Sequence, residues 1–262
     1  MAKNNDAIVS FNKEAWNSQV RKGNTWTIAV TAEEIQKAKS GDWRLLLTPS
    51  RPIPREWFPR DLGAKILGLA SGGGQQGPIL AAVGYDVTIF DNSPLQLARD
   101  REVAEREGLS IRTLEGDMAD LSVFEDESFD FIIHPCSNCF VPDVNPVWKE
   151  AFRVLKKGGS IISGFTNPVA FTLDVQKDRE GIAEMRYPVP YSDLKDLTAE
   201  ERIRFYGDDE PYTFGHSLED QVGGQIAAGF HITGFYEDGW PEDKGSIHNF
   251  MKVFIATRAI KP

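Results

Sequence analysis

Lys65-Ile66-Leu67-Gly68-Leu69-Ala70-Ser71-Gly72-Gly73-Gly74-Gln75-Gln76-Gly77-Pro78 turns a short apolar run into a glycine-rich loop and then into a helix start. Ile66–Leu69 is bounded by turn residues and too short for a buried helix, so it reads as a buried strand. The glycines after it let backbone N–H groups approach a ligand with no Cβ in the way, and the helix that follows presents its positive pole there. Pro78 suits the first helical turn, and Gly84 closes that helix. Val87-Thr88-Ile89-Phe90 is β-branched and aromatic, a second strand with Asp91 at its end. Strand, loop, helix, strand is the repeating unit of a parallel sheet covered by helices on both faces.

The alternation continues to about Phe165. Ser93-Pro94-Leu95-Gln96 offers a cap, a first-turn proline and a reciprocal glutamine, opening a helix that runs to Gly108. Ser110–Leu114 and Phe129–Ile133 are the third and fourth strands. Asn145-Pro146 starts a helix with Val147, Ala151, Val154 and Leu155 on one face. Lys156-Lys157-Gly158-Gly159 should end it, with cations at its negative pole, before a fifth strand at Ser160–Ser163. After a break, a helix over 217–228 and strands near Ile232–Tyr236 and Asn249–Thr257 should close the sheet with an antiparallel edge.

Two regions lie outside this rhythm. Residues 1–62 read as a helical lead-in or cap, with a capping box at Thr31-Ala32-Glu33-Glu34, a stop at Gly41 and an extended connector over Pro49–Pro59. Residues 168–214, rich in charge, tyrosine and proline, read as an insertion above the sheet and a substrate lid. The core is then 63–167 with 215–262.

In an open parallel sheet, ligands bind at the carboxyl ends of the strands near the switch in strand order. Gly72, Gly74 and Gly77 satisfy G-x-G-x-x-G, and Asp91 stands where a carboxylate accepts both ribose hydroxyls of an adenosine. The blander alternatives are a tight turn for the loop and a cap or solvated acid for Asp91. Gly116-Asp117-Met118, after strand three, supplies an acid for an amine donor and an apolar wall for a purine face. His134-Pro135-Cys136 follows strand four at the middle of the same edge.

Composition narrows the classes. The 262 residues are 41% hydrophobic and 26% charged, which suits one large α/β domain. Twenty-nine basic against thirty-nine acidic side chains leave a net charge of −10, which disfavours a nucleic-acid substrate. Arg51, Arg55 and Arg60 are expected to be separate surface groups rather than a phosphate-binding patch. Two cysteines exclude a disulfide scaffold and a four-cysteine zinc site, and no metal centre is expected. No run approaches the ~20 apolar residues of a membrane span, and the first residues lack the apolar core of a signal peptide, so a cytoplasmic location is expected.

The run 65–74, the Asp91-x-Ser93 turn, Gly116-Asp117-Met118, Phe129–Ile133 and Arg153–Gly159 occur in the order typical of class I S-adenosylmethionine-dependent methyltransferases. The chain most resembles their type 11, UbiE-like group, over 64–167 and more loosely over 215–262. The resemblance implies a Rossmann-like, doubly wound, seven-stranded α/β sheet, S-adenosyl-L-methionine as cofactor and in-line methyl transfer to a small-molecule acceptor. It implies that Ala70, Ser71, Gly72, Gly73 and Gly74 wrap the methionine end. Asp91, with Asn92 and Ser93, would hold the ribose, and Gly116, Asp117 and Met118 the adenine. His134, Pro135 and Cys136 would border the methyl group, with His134 a candidate general base.

Two positions depart from the family pattern. Gly68 replaces an acid before the loop and Ala70 the first glycine, so the cofactor's ammonium would lean on backbone carbonyls. Trp16 and Trp26 in the lead-in, with Tyr187, Tyr191, Tyr206, Tyr212 and Phe214 in the insertion, are candidates to close over an apolar or planar acceptor.

Competing readings are a non-catalytic S-adenosylmethionine binder and an NAD(P)-dependent oxidoreductase. For the latter, Tyr191 and Lys195 give a Tyr-x-x-x-Lys spacing, but inside the irregular insertion. Cys136 and Cys139 are expected to be small wall residues rather than a redox or metal pair.

Overall fold

In the computed structural model of the chain, residues 2–240 and 246–262 are described. The helices and strands run α1 (Ala2–Lys22), α2 (Ala32–Lys39), β1 (Lys65–Leu69), α3 (Gln76–Val83), β2 (Asp86–Asp91), α4 (Pro94–Glu107), β3 (Ile111–Glu115), β4 (Phe129–His134), α5 (Asn145–Val154) and β5 (Leu155–Thr166). The insertion adds α6 (Val175–Arg179), β6 (Tyr191–Ser192), α7 (Asp193–Asp196), α8 (Ala199–Tyr206) and β7 (Phe214–Gly215). The chain then returns through α9 (Gly224–Ala228), β8 (His231–Asp238) and β9 (Phe254–Ile260).

The main sheet has seven strands in the order β3-β2-β1-β4-β5-β9-β8. The first five are mutually parallel, and β9 runs antiparallel between β5 and β8. Consecutive apolar residues serve opposite faces, as the two-residue period of a strand requires. Ile66, Ile89, Phe131, Ile133 and Ile162 pack under α2, α3 and α4. Leu67, Phe90, Ile132 and Ile161 pack against Trp148, Ala151 and Val154 of α5. Continuous apolar strands in the sequence therefore mean a sheet buried on both sides.

Several boundaries differ from expectation. Helix α5 stops at Val154, because Leu155 takes an extended conformation, pairs with Phe129 and is buried in the sheet. Lys156 therefore lies in β5 and pairs with Asp130 at 2.8 Å, instead of capping a helix dipole. Gln96 does not return the capping bond, since the Ser93 N–H donates to Asp91 Oδ1. The last strand begins at Phe254, not Asn249. Residues Ser246–Asn249 form a 3₁₀ turn whose Ser246 donates from N and Oγ to Asp178 of α6, both at 2.7 Å. The 217–228 helix contains a π-helical turn at Glu219–Gly223, where the Asp220 carbonyl accepts from Trp148 Nε1. The proline-rich connector is broken by a 3₁₀ turn at Arg55–Trp57, and Trp57 lies on Tyr236.

The lead-in is tied to both other regions by buried amides. Asn12 Nδ2 donates to the Phe140 and Tyr212 carbonyls, its Oδ1 accepts the Tyr212 N–H, and Phe11 stacks on Tyr212 with ring centroids 4.2 Å apart. Asn17 Oδ1 accepts from Ser93 Oγ at 2.8 Å, which fixes α1 against the start of α4. The capping box of α2 forms as expected at Thr31 and Glu34. Arg51 and Arg55 lie over the rings of Tyr236 and Trp43. Among the described residues no helix is long and apolar enough to cross a membrane.

Candidate active site

Strand order reverses between β1 and β4, and the loop after β1 lies at that switch. Ala70 adopts φ +47°, a left-handed conformation that costs a side-chain-bearing residue ~1 kcal/mol, so the backbone keeps the turn a glycine would make freely. Its N–H donates to the Phe90 carbonyl at 2.7 Å and its carbonyl accepts from Ser137 Oγ at 2.8 Å, which holds the turn. Gly68 has no space for an acid: a Cβ there would lie 2.3 Å from Ser71 Oγ and 2.4 Å from Ile89 Cδ1.

Asp91 ends β2 facing the loop. Its Oδ2 accepts the Gly72 N–H at 3.0 Å and its Oδ1 the Ser93 N–H at 2.9 Å. Burial pushes its pKa up to about 6, which these backbone bonds only partly oppose. The carboxylate is ionised in most molecules at neutral pH, with acceptor capacity left on each oxygen.

A cavity of about 1350 Å³ opens above these residues. Its wall includes Ala70, Ser71, Gly72, Asp91, Asn92, Gln96, Asp117, Met118, Pro135 and Cys136. Asp117 is half-buried with its pKa raised by desolvation, and Oδ1 accepts the Ala119 N–H. The lining also includes the aromatic residues Trp16, Trp26, Phe140, Phe171, Tyr187, Tyr191 and Tyr206.

Seven expected site residues are not part of this wall. Gly73 and Gly74 are covered by the lead-in: a Cβ on Gly73 would meet the Trp26 carbonyl at 2.8 Å, and Val30 N donates to the Gly74 carbonyl. Ser93 is spent on Asn17 and the α4 cap. Gly116 is a packing glycine, since a Cβ would stand 2.2 Å from the Phe90 ring. Phe214 is buried in β7, and Tyr212 packs on Phe11 outside the wall.

The seventh is His134, which is fully buried. Nδ1 lies 2.8 Å from the Leu69 carbonyl oxygen and Nε2 lies 2.6 Å from the Asn138 side-chain oxygen, while Trp148 stands edge-on to the ring. Desolvation lowers its pKa against the bonds to Leu69 and Asn138, and the ring is not part of the cavity wall. The expectation of a general base fails on access.

The thiols of Cys136 and Cys139 are both pushed up by burial, Cys139 to about 12, and this is the reverse of an activated thiolate. Tyr191 gives its hydroxyl to Asp193 Oδ1 at 2.8 Å, and burial with that acid raises its pKa. A dehydrogenase tyrosine needs the opposite shift, and Lys195 is exposed.

A family model described as a methyltransferase domain matches residues 67–163. The uncharacterized methyltransferase YbaJ of Bacillus subtilis is 50% identical over 258 residues, 98% of this chain and 99% of that one. The chain belongs to the class I S-adenosylmethionine-dependent methyltransferases, type 11 group. Sterol 24-C-methyltransferase erg6 of Aspergillus fumigatus is 37% identical over 100 residues, 37% of this chain and 26% of that enzyme. An S-adenosylmethionine dependent methyltransferase of Mesorhizobium loti has the same fold, with a TM-score of 0.60 at 19% identity over 79% of this chain and 94% of that one.

The wall of this methyltransferase fits its cofactor. Ser71 Oγ and Gln96 Oε1 are buried, belong to residues of the cavity wall and meet no hydrogen-bond partner among the described residues. A Cβ on Gly72 would lie 2.8 Å from Gln96 Cβ and 3.1 Å from Asp91 Oδ2, so only glycine leaves the cradle open. Gln96 is the site residue the sequence reading missed, because its spacing from Ser93 gave it a place in a helix cap.

Proposed function

We propose that this methyltransferase alkylates a small molecule held between the sheet edge and the insertion, with residues 168–214 as the lid. The observation that carries the proposal is the single cavity shared by the cofactor wall and the aromatic chamber. Its volume exceeds the ~300–1,000 Å³ of a pocket for one drug-sized ligand, so a cofactor and a second small molecule fit together.

When bound, S-adenosyl-L-methionine supplies an electrophilic methyl group on a sulfonium. Asp91 accepts the ribose hydroxyls, Asp117 accepts from the adenine amine, and Met118 packs on the base. Ala70, Ser71 and Gly72 line the amino-acid end. Gln96 Oε1 takes the ammonium in place of the missing acid at Gly68, since it is buried at the cavity with no partner among the described residues. Pro135 and Cys136 border the methyl side. His134 positions the end of β1 through the Leu69 carbonyl and holds no transferred proton.

Alignment of the acceptor supplies most of the rate, through proximity in a partly dry chamber. The chamber tyrosines stay protonated: burial raises Tyr187 and Tyr191 and pushes Tyr206 up to about 12. Tyr191 already gives its proton to Asp193, so Tyr187 and Tyr206 are the hydrogen-bond donors to the acceptor, and none of the three is a base. Tyr187 is the anchor, since it lines the cavity and its buried hydroxyl, with the Arg186 guanidinium beside it, donates to no acceptor among the described residues. The acceptor this favours is uncharged and largely apolar, with one oxygen or nitrogen acceptor. The sterol named for the Aspergillus relative is of that kind.

Incubation with methyl-labelled cofactor and the low- and high-mass fractions of a cell extract tests the reading. Label should enter the low-mass, solvent-extractable fraction. Label confined to protein or nucleic acid would overturn the small-molecule assignment.

A further inference from the structure

Asp100 has no part in the chemistry above. It lies on α4 one turn beyond Gln96, fully buried, and its Oδ2 accepts the Gly73 N–H at 3.0 Å. Among the described residues its Oδ1 meets no hydrogen-bond donor, and it faces the start of α3, where a Cβ on Gly77 would come 2.9 Å from it. Asp91 holds the preceding N–H, that of Gly72, from the cavity side. Two carboxylates thus grip successive N–H groups of the loop, one in the cavity wall and one behind it.

Among the described residues no cationic side chain pairs with Asp100, and the charge that acts on it is that of Asp91. The loop contributes backbone only, and the 25–30 segment meets it with the Trp26 carbonyl and the Ala29 methyl. Strand β2 brings Asp91, of the same sign, and α3 brings Gly77. On its own helix, Arg99 pairs with Glu102. Burial, reinforced by Asp91, pushes the Asp100 pKa up to about 7 against the bonds from Gly73 and Gly74.

We propose that Asp100 is a positioning residue that holds Gly73 in the cofactor-binding conformation of the loop and, when ionised, draws the cationic end of the ligand against it. This rests on the reading that the amino-acid end lies along Ala70–Gly72. A buried charge one backbone layer away is weakly screened, so it acts on an ammonium it does not touch. Affinity must then climb as Asp100 loses its proton, in a pH range above the titration of Asp91.

Titration calorimetry with S-adenosylhomocysteine from pH 6.5 to 8.5 on wild type, Asp100→Asn and Asp100→Ser tests this. The amide keeps an acceptor for the Gly73 N–H, and the serine serves if the amide does not fold. The ligand's own titration is common to all three proteins, so the ratio of affinities isolates Asp100. Wild-type affinity should rise roughly fivefold or more relative to either variant across that range. A ratio that stays constant with pH, or a wild-type affinity that does not change, overturns the proposal and leaves the cofactor site intact. No binding by wild type at any pH overturns both.

Discussion

Replacing Asp91 by alanine should separate cofactor affinity from fold stability. In the free protein burial raises this carboxyl from 3.8 to about 6. The native state therefore holds a proton that the unfolded chain has already lost in that window, and stability falls as pH rises through it. At neutral pH the handicap is about 3 kcal/mol. Alanine removes it but leaves the Gly72 and Ser93 N–H groups without their acceptor, at ~1–3 kcal/mol each. The two effects offset, and the melting temperature of the free protein should move by only a few degrees.

Affinity has no such compensation. A carboxylate accepting two ribose hydroxyls contributes about 3 kcal/mol through charge-assisted bonds, so Kd should rise roughly 100-fold. Calorimetry with S-adenosylhomocysteine reads the Kd, and melts with and without it read the stability. A Kd that moves less than about fivefold, in a variant that melts with wild type, would refute the assignment of the ribose to Asp91.

Asp238 gives the opposite pH signature. Burial works to raise its pKa, but bonds from Ser50, Thr48 and the Arg51 N–H outweigh it and hold the value at about 2. Its stabilisation, about 2 kcal/mol, is complete above the ordinary Asp pKa and disappears as pH falls toward the folded value. Asp238→Asn should therefore be less stable in urea at neutral pH, with the gap closing near about pH 2. Serine at both Cys136 and Cys139 should leave S-adenosylhomocysteine affinity within about twofold, and iodoacetamide should label neither native thiol at neutral pH. His134→Ala should cost about 3 kcal/mol in denaturant melts through the hole and orphaned acceptors it leaves, while Kd changes less than about 10-fold. A loss of affinity as large as that expected for Asp91 would place the ring in contact with cofactor.

The sequence by itself determined the layered sheet and the edge where chemistry occurs. Short apolar strands, the glycine loop, Asp91 and the helix caps are local signals, each written within a few neighbouring residues. It also marked Ala70 as an altered loop position, whose left-handed backbone the structure shows directly. What required the tertiary structure was which side chains at that edge reach the cavity. His134 and Gly116 occupy suggestive positions after strands, yet one is closed in by Leu69, Asn138 and Trp148, and the other exists to admit the Phe90 ring. Gln96 and Asp100 look like ordinary helix residues until α4 packs beneath the loop and turns them onto it. Asn12 and Asn17 gave no periodic signal, because their partners stand on Phe140, Tyr212 and Ser93, far along the chain. Local propensity selects the elements, whereas access, burial and the partner of each polar atom depend on residues distant in sequence, and those decide which chemistry a side chain can perform.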